Sequence, residues 1–141
     1  MHGRIPIHAS GEADLDFDAT DSDELLRGGE RYYAPVVKSA RDARAAVLVL
    51  PLGTDRKERA MLVVSELTTN AIVHAGGVLY LQIFLYDSGA RVEVADASPS
   101  RPGPIKVNLT SGRGLQMVEA LATTWGWAPK PWGKVVWAEL E

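Results

Sequence analysis

S65-E-L-T-T-N-A-I-V-H-A75 spaces Glu66, Asn70 and His74 four residues apart. On an α-helix that interval stacks the three side chains along one stripe, about 6 Å per step at about 1.5 Å rise per residue. A helical wheel sets Leu62, Val63 and Val73 beside Glu66 and Asn70, and Ala60, Met61, Val64, Thr68, Ala71, Ile72 and Ala75 on the far side. A helix apolar nearly all round is buried. The carboxylate and the amide are therefore expected to look into an enclosed space, and buried polar groups need partners. A metal ion or a polar ligand is the simplest partner, and hydrogen bonding to neighbouring loops is the alternative.

Outward from this segment, helix signals and strand signals are separable. Before it, Glu30–Ala34 is a short strand candidate, and Pro35 opens a helix with Val36, Val37, Ala40, Ala43, Val47 and Leu50 at three- and four-residue intervals. Pro51 and Gly53 end that helix; Thr54 or Asp55 caps the next, which stops at Gly76-Gly77. After it, Leu79, Leu81, Ile83 and Leu85 share one face of a strand over 78–86, Asp87-Ser88-Gly89 turns the chain, and 91–96 returns with Val92 and Val94 inward. Residues 97–111 carry three prolines and no periodicity, and a loop of that length inside a domain is expected to be a functional lid. Gly112-Arg113-Gly114 leads into a helix with Leu115, Val118, Leu121 and Ala122 on one face. A closing hairpin spans 123–140. The order predicts an α+β fold: a two-layer α/β sandwich, its mainly antiparallel sheet covered on one face by helices.

The bulk numbers narrow the partners. A chain of 141 residues fits one domain, read here as residues 30–141, preceded by an arm over 1–29. Seven acidic residues between Glu12 and Glu24 mark the arm as loosely attached, with Leu15-Asp16-Phe17 a possible short strand. The net charge is −3 and the 15 Lys and Arg are scattered, so no basic footprint for nucleic acid is expected. There is no cysteine, which removes disulfide and thiolate chemistry and suits a cytoplasmic location. The apolar run over 45–52 is too short for a bilayer, the N-terminus lacks a secretory pattern, and His2, His8 and His74 have no zinc-like spacing. No membrane partner is expected.

Three constellations carry candidate chemistry. An Asn carbonyl oxygen is a hard ligand suited to Mg²⁺, and a carboxylate one turn away accepts a proton from an attacking hydroxyl. Asp96 ends a strand in Val94-Ala-Asp-Ala-Ser-Pro-Ser-Arg-Pro102, where a buried carboxylate accepts a hydrogen bond from an exocyclic amine such as that of adenine. Asp-x-Ser-Pro is equally an ordinary turn. Ser111-Gly112-Arg113-Gly114-Leu115 opens a helix whose first N–H groups suit an anion, with the Arg113 guanidinium in reach of phosphate or a carboxylate. Simple capping gives the same sequence. Trp125, Trp127, Trp132 and Trp137 read as core and sheet packing, and Lys130 and Lys134 as solvated side chains.

Taken in order, E-x-x-x-N-x-x-x-H on a helix, D-x-S-P-x-x-P after a hairpin, a lid and then G-R-G-L resemble the histidine-kinase-like ATPase superfamily (Bergerat fold, GHKL). Within it, the chain is most similar to the bacterial anti-sigma-factor serine kinases and related ATP-binding regulators, over about residues 30–141. That resemblance implies ATP and Mg²⁺ as cofactors. Glu66 would be the general base, Asn70 the Mg²⁺ ligand and Asp96 the reader of the adenine amine. His74 and Ser98 would line the nucleotide site, with Gly112, Arg113, Gly114 and Leu115 wrapping the phosphates. It also implies a serine/threonine-protein kinase, usually a homodimer, that phosphorylates a STAS-type anti-sigma antagonist and sequesters a sigma factor. Ala97-Ser98-Pro99 replaces the Gly-x-Gly of many members, as in the anti-sigma branch, and the lid is short. The family often reads Gly-Lys-Thr-Val-Trp near the end, with the Thr close to adenine. Gly133-Lys134-Val135-Val136-Trp137 lacks that hydroxyl, which implies weaker nucleotide binding. The competing expectation is a non-catalytic, nucleotide-sensing module that grips a sigma factor or antagonist.

Overall fold

The computed structural model describes residues 30–102 and 114–141, arranged as β1 (Glu30–Ala34), α1 (Ala40–Leu48), α2 (Thr54–Ala75), β2 (Tyr80–Tyr86), β3 (Gly89–Asp96), α3 (Gly114–Leu121), β4 (Thr124–Lys130) and β5 (Gly133–Leu140). The acidic arm, the strand expected at Leu15–Phe17 and lid residues 103–111 lie outside the described residues. The five strands form one antiparallel sheet in the order β1-β2-β3-β5-β4. The helices pack on one face of it, so the α+β two-layer sandwich read from the sequence is the architecture found. Among the described residues no helix is long and apolar enough to cross a membrane.

Period-two alternation assigns the faces. Leu81, Ile83 and Leu85 of β2, Ala90, Val92 and Val94 of β3, and Val136, Ala138 and Leu140 of β5 meet Ala43 and Val47 of α1, Val63, Val64, Leu67 and Ala71 of α2 and Val118 of α3. This is the core. Tyr80, Ala95 and Val135 occupy the opposite face with Tyr33 and Trp132. On that outer face Arg91 bonds Glu93 at 2.9 Å and Glu139 at 3.0 Å, with its guanidinium carbon 4.3 Å from the Trp137 ring centre. Gly126 lies beside that ring. A Cβ there would come within 2.7 Å of it, so only glycine lets the indole lie across β4.

Element ends differ from the sequence reading for identifiable reasons. α1 starts at Ala40 rather than beside Pro35, because the Ser39 hydroxyl accepts from the Asp42 N–H at 3.1 Å while the Asp42 carboxylate accepts from the Lys38 N–H at 2.9 Å. This leaves Val36 exposed rather than on a helical core face. Gly53, not Thr54 or Asp55, takes the N-cap position of α2. β2 begins at Tyr80, which leaves Leu79 at the edge of the layer, 39% exposed. Tyr86 pairs with Gly89, so the hairpin loop is Asp87-Ser88 alone. α2 ends as expected: Gly76 adopts φ 81° and the Gly77 N–H reaches back to the Ala71 carbonyl at 3.2 Å.

Gly133 fixes one end of the sheet. Its φ of 154° suits glycine, and a Cβ would strike the Asp96 carbonyl oxygen and come within 2.7 Å of the Ala97 Cα. Gly133→Ala is expected to cost about 2–4 kcal/mol of stability, by strain and by forcing β3 from β5. Urea unfolding measures it, and a loss below about 0.5 kcal/mol contradicts this geometry.

Candidate functional site

The C-terminal half of α2, the end of β3 and the start of β5 converge at one end of the sheet. The segment after α2 returns through the Leu79 N–H, which donates to the Ala95 carbonyl at 2.7 Å, and Asp96 pairs in register with Lys134. α2 packs on β3 and β5, and α3 packs on α2. Asn70 and Asp96 therefore belong to neighbouring layers at this end.

Burial along the stripe is graded. Asn70 is 7% exposed, Glu66 is half-buried and His74 is exposed. The fully enclosed helix expected from the sequence is not what forms: Leu62 and Val73, beside the stripe, are 45% and 58% exposed. Val63, also beside the stripe, is fully buried, so the stripe follows the boundary between the buried side of α2 and its exposed edge. The opposite side of the helix, with Ala60, Val64, Thr68 and Ala71, is the buried one.

Asn70 Oδ1 is buried and has no hydrogen-bond partner among the described residues. Such an acceptor costs about 1–3 kcal/mol when nothing satisfies it. Thr68 Oγ1 and both amide atoms of Gln82 are also unpartnered, but Thr68 lies on the core side of α2 and Gln82 on the outer face of the sheet. Gln82 lies opposite Glu93 on that outer face, away from α2, whereas Asn70 shares the α2 stripe with Glu66 at the end of the sheet where Asp96 lies. A hard cation or a polar ligand there would satisfy Asn70.

Burial raises the Glu66 carboxyl above its ordinary value of 4.5. The folded chain then holds this proton to higher pH than the unfolded chain does. The stability Glu66 contributes is present below 4.5 and is lost as pH rises through the raised value. Replacing Glu66 with Gln should remove that segment of the pH–stability curve, which thermal melts in buffers from pH 4 upward would record. An unchanged curve contradicts the burial.

Asp96, 2% exposed, is held by two bonds to Oδ1: the Ser98 N–H donates at 2.9 Å and Lys134 Nζ at 3.0 Å. Lys134 Nζ also donates to the Ser98 carbonyl at 3.3 Å, and the Ser98 hydroxyl accepts from the Ser100 N–H at 3.2 Å. The turn reading of Asp-x-Ser-Pro is thus present, and the same carboxylate is half of a buried ion pair. The solvated Lys134 expected from the sequence is corrected: the residue is 3% exposed. The signal is legible in the alternation, because Val136, Ala138 and Leu140 face the core and Lys134 falls on the same face. Val135 points to the outer face against Tyr80 and Ala95, opposite to the face that carries Asp96 and Lys134.

The phosphate-side expectations are reached only in part. Gly112 and Arg113 lie outside the described residues. Gly114 is the first residue of α3, and Leu115 packs against the core, which makes its side chain a structural anchor. Trp125 and Trp127 also pack on the core, as the sequence suggested. No family model matches the chain, and no match to a curated protein is found.

Proposed function

We propose that this chain is an ATP- and Mg²⁺-binding regulator with the Bergerat fold of the histidine-kinase-like ATPases. It acts as a serine/threonine-protein kinase on a STAS-type anti-sigma antagonist and, as a homodimer, sequesters a sigma factor in the cytoplasm. The observation that carries this reading is the unpartnered, buried carbonyl oxygen of Asn70, one helical turn from the half-buried Glu66. The sheet order, with α2 over β3 and Asp96 at the strand end, supports it.

Asn70 Oδ1 is the donor that would hold Mg²⁺, a cation that takes few protein ligands and completes its shell with water and phosphate oxygens. Held there, Mg²⁺ would supply charge neutralisation at the phosphates. Glu66 takes the proton of the attacking hydroxyl, whose oxygen bonds to the γ-phosphorus as the bond to the ADP oxygen breaks. Its raised affinity for protons makes it a stronger base than an exposed carboxylate. Asp96 accepts from the exocyclic amine of the purine.

Asn70→Leu tests the carrying observation. Without nucleotide, its melting temperature should equal or exceed that of the parent chain, since an unsatisfied polar atom is removed. With Mg-ATP, the stabilisation shown by the parent chain should vanish. An equal Mg-ATP shift in both proteins contradicts the assignment.

A second reading is a nucleotide-sensing module without transfer: Asn70 and Asp96 are assigned to binding, and transfer rests on the half-buried Glu66 alone. Calorimetric titration with Mg-ATP and Mg-ADP, followed by a phosphorylation assay, separates the two: binding without turnover supports the module.

A further inference from the structure

We propose that Lys134 is a second purine-reading group, donating to the ring nitrogen that flanks the exocyclic amine bound by Asp96. This rests on the ATP reading above.

Lys134 Nζ carries three N–H donors. One is used on Asp96 Oδ1 and one on the Ser98 carbonyl. The side chain is only 4% exposed, and no third acceptor is found among the described residues. The bonds described for Asp96 both fall on Oδ1, which leaves Oδ2 for a ligand. The pair therefore presents an acceptor next to a charged donor, held in register by the β3–β5 ladder.

Adenine offers the complement: an amine donor with an acceptor nitrogen on each side. Guanine places a carbonyl oxygen where the amine would be, facing the carboxylate, and the mismatch is repulsive. The geometry thus makes Lys134 a specificity-determining residue. It is on the site face of the sheet, whereas Val135 is on the other. The ion pair also holds Asp96 rigid before the ligand arrives, so less ordering is needed on binding.

Calorimetry with Mg-ATP, Mg-GTP and the 1-deaza and 7-deaza analogues of ATP tests this on the full chain. The parent chain should bind one of the two analogues at least about tenfold more weakly than ATP, and GTP more weakly by at least the same factor. In the charge-neutral double variant Asp96→Asn/Lys134→Met, the deaza penalty should fall to about twofold or less. If the double variant does not fold, the parent chain's analogue ratio and the Lys134→Arg variant, which keeps both the cation beside Asp96 and a donor and should keep the penalty, decide the matter. ATP binding with both analogues equal to ATP overturns the role of Lys134 alone. A penalty that survives loss of the Lys134 donor overturns it as well. Absence of any ATP binding overturns the ATP reading and this inference together.

Discussion

Glu66→Gln should slow phosphoryl transfer from ATP by about two to four orders of magnitude, the usual contribution of a positioned general base. Mg-ATP affinity should change by less than about threefold, because the carboxylate is assigned to the attacking hydroxyl rather than to the nucleotide. Gln is close in size to Glu, so the rim of α2 keeps its shape and a loss of activity is a chemical loss. The parent rate should also fall as pH is lowered through the raised Glu66 value, since only the ionised form accepts a proton. The residual rate of the variant should be flat over that range. Label from γ-labelled ATP reaching the antagonist at the parent rate in the Glu66→Gln protein would sink this role.

Lys134→Met should destabilise the fold by about 3–5 kcal/mol. It leaves the 2%-exposed Asp96 carboxylate without its cation. The remaining Ser98 N–H donates one hydrogen bond and brings no charge. Asp96→Asn/Lys134→Met removes both charges and should recover most of the loss, because a neutral pair carries a far smaller desolvation cost. The midpoint of urea unfolding reads both values if the slope is unchanged. A loss under about 1 kcal/mol for Lys134→Met would mean that the pair is not buried in solution. The two experiments are independent: the first interrogates chemistry at α2, the second the rigidity of the β3–β5 end.

What could be read before folding was whatever depends on neighbours along the chain. The 3.6-residue recurrence gave α2 and its Glu66-Asn70-His74 stripe, and Gly76-Gly77 marked where that helix ends. Alternation gave β2, β3 and β5, and the order of elements gave the two-layer sandwich. These are local consequences of backbone geometry and of one apolar face per element. The start of α1 was misplaced because the Ser39–Asp42 capping pair competes with Pro35 as a helix start, and both are sound signals taken singly.

Which polar groups are dry, and which of them meet, was decided only in three dimensions. Asp96 and Lys134 are 38 residues apart in sequence, yet antiparallel register makes them opposite neighbours and lets the buried carboxylate take a cation. Val135 was turned to the outer face by the same register. The stripe on α2 became a rim with exposed Leu62 and Val73 because the sheet, α1 and α3 together leave that edge of the helix uncovered. Periodicity tells a side chain which direction it leaves its own element. The layers packed around that element determine whether water, a neighbour or a ligand meets it.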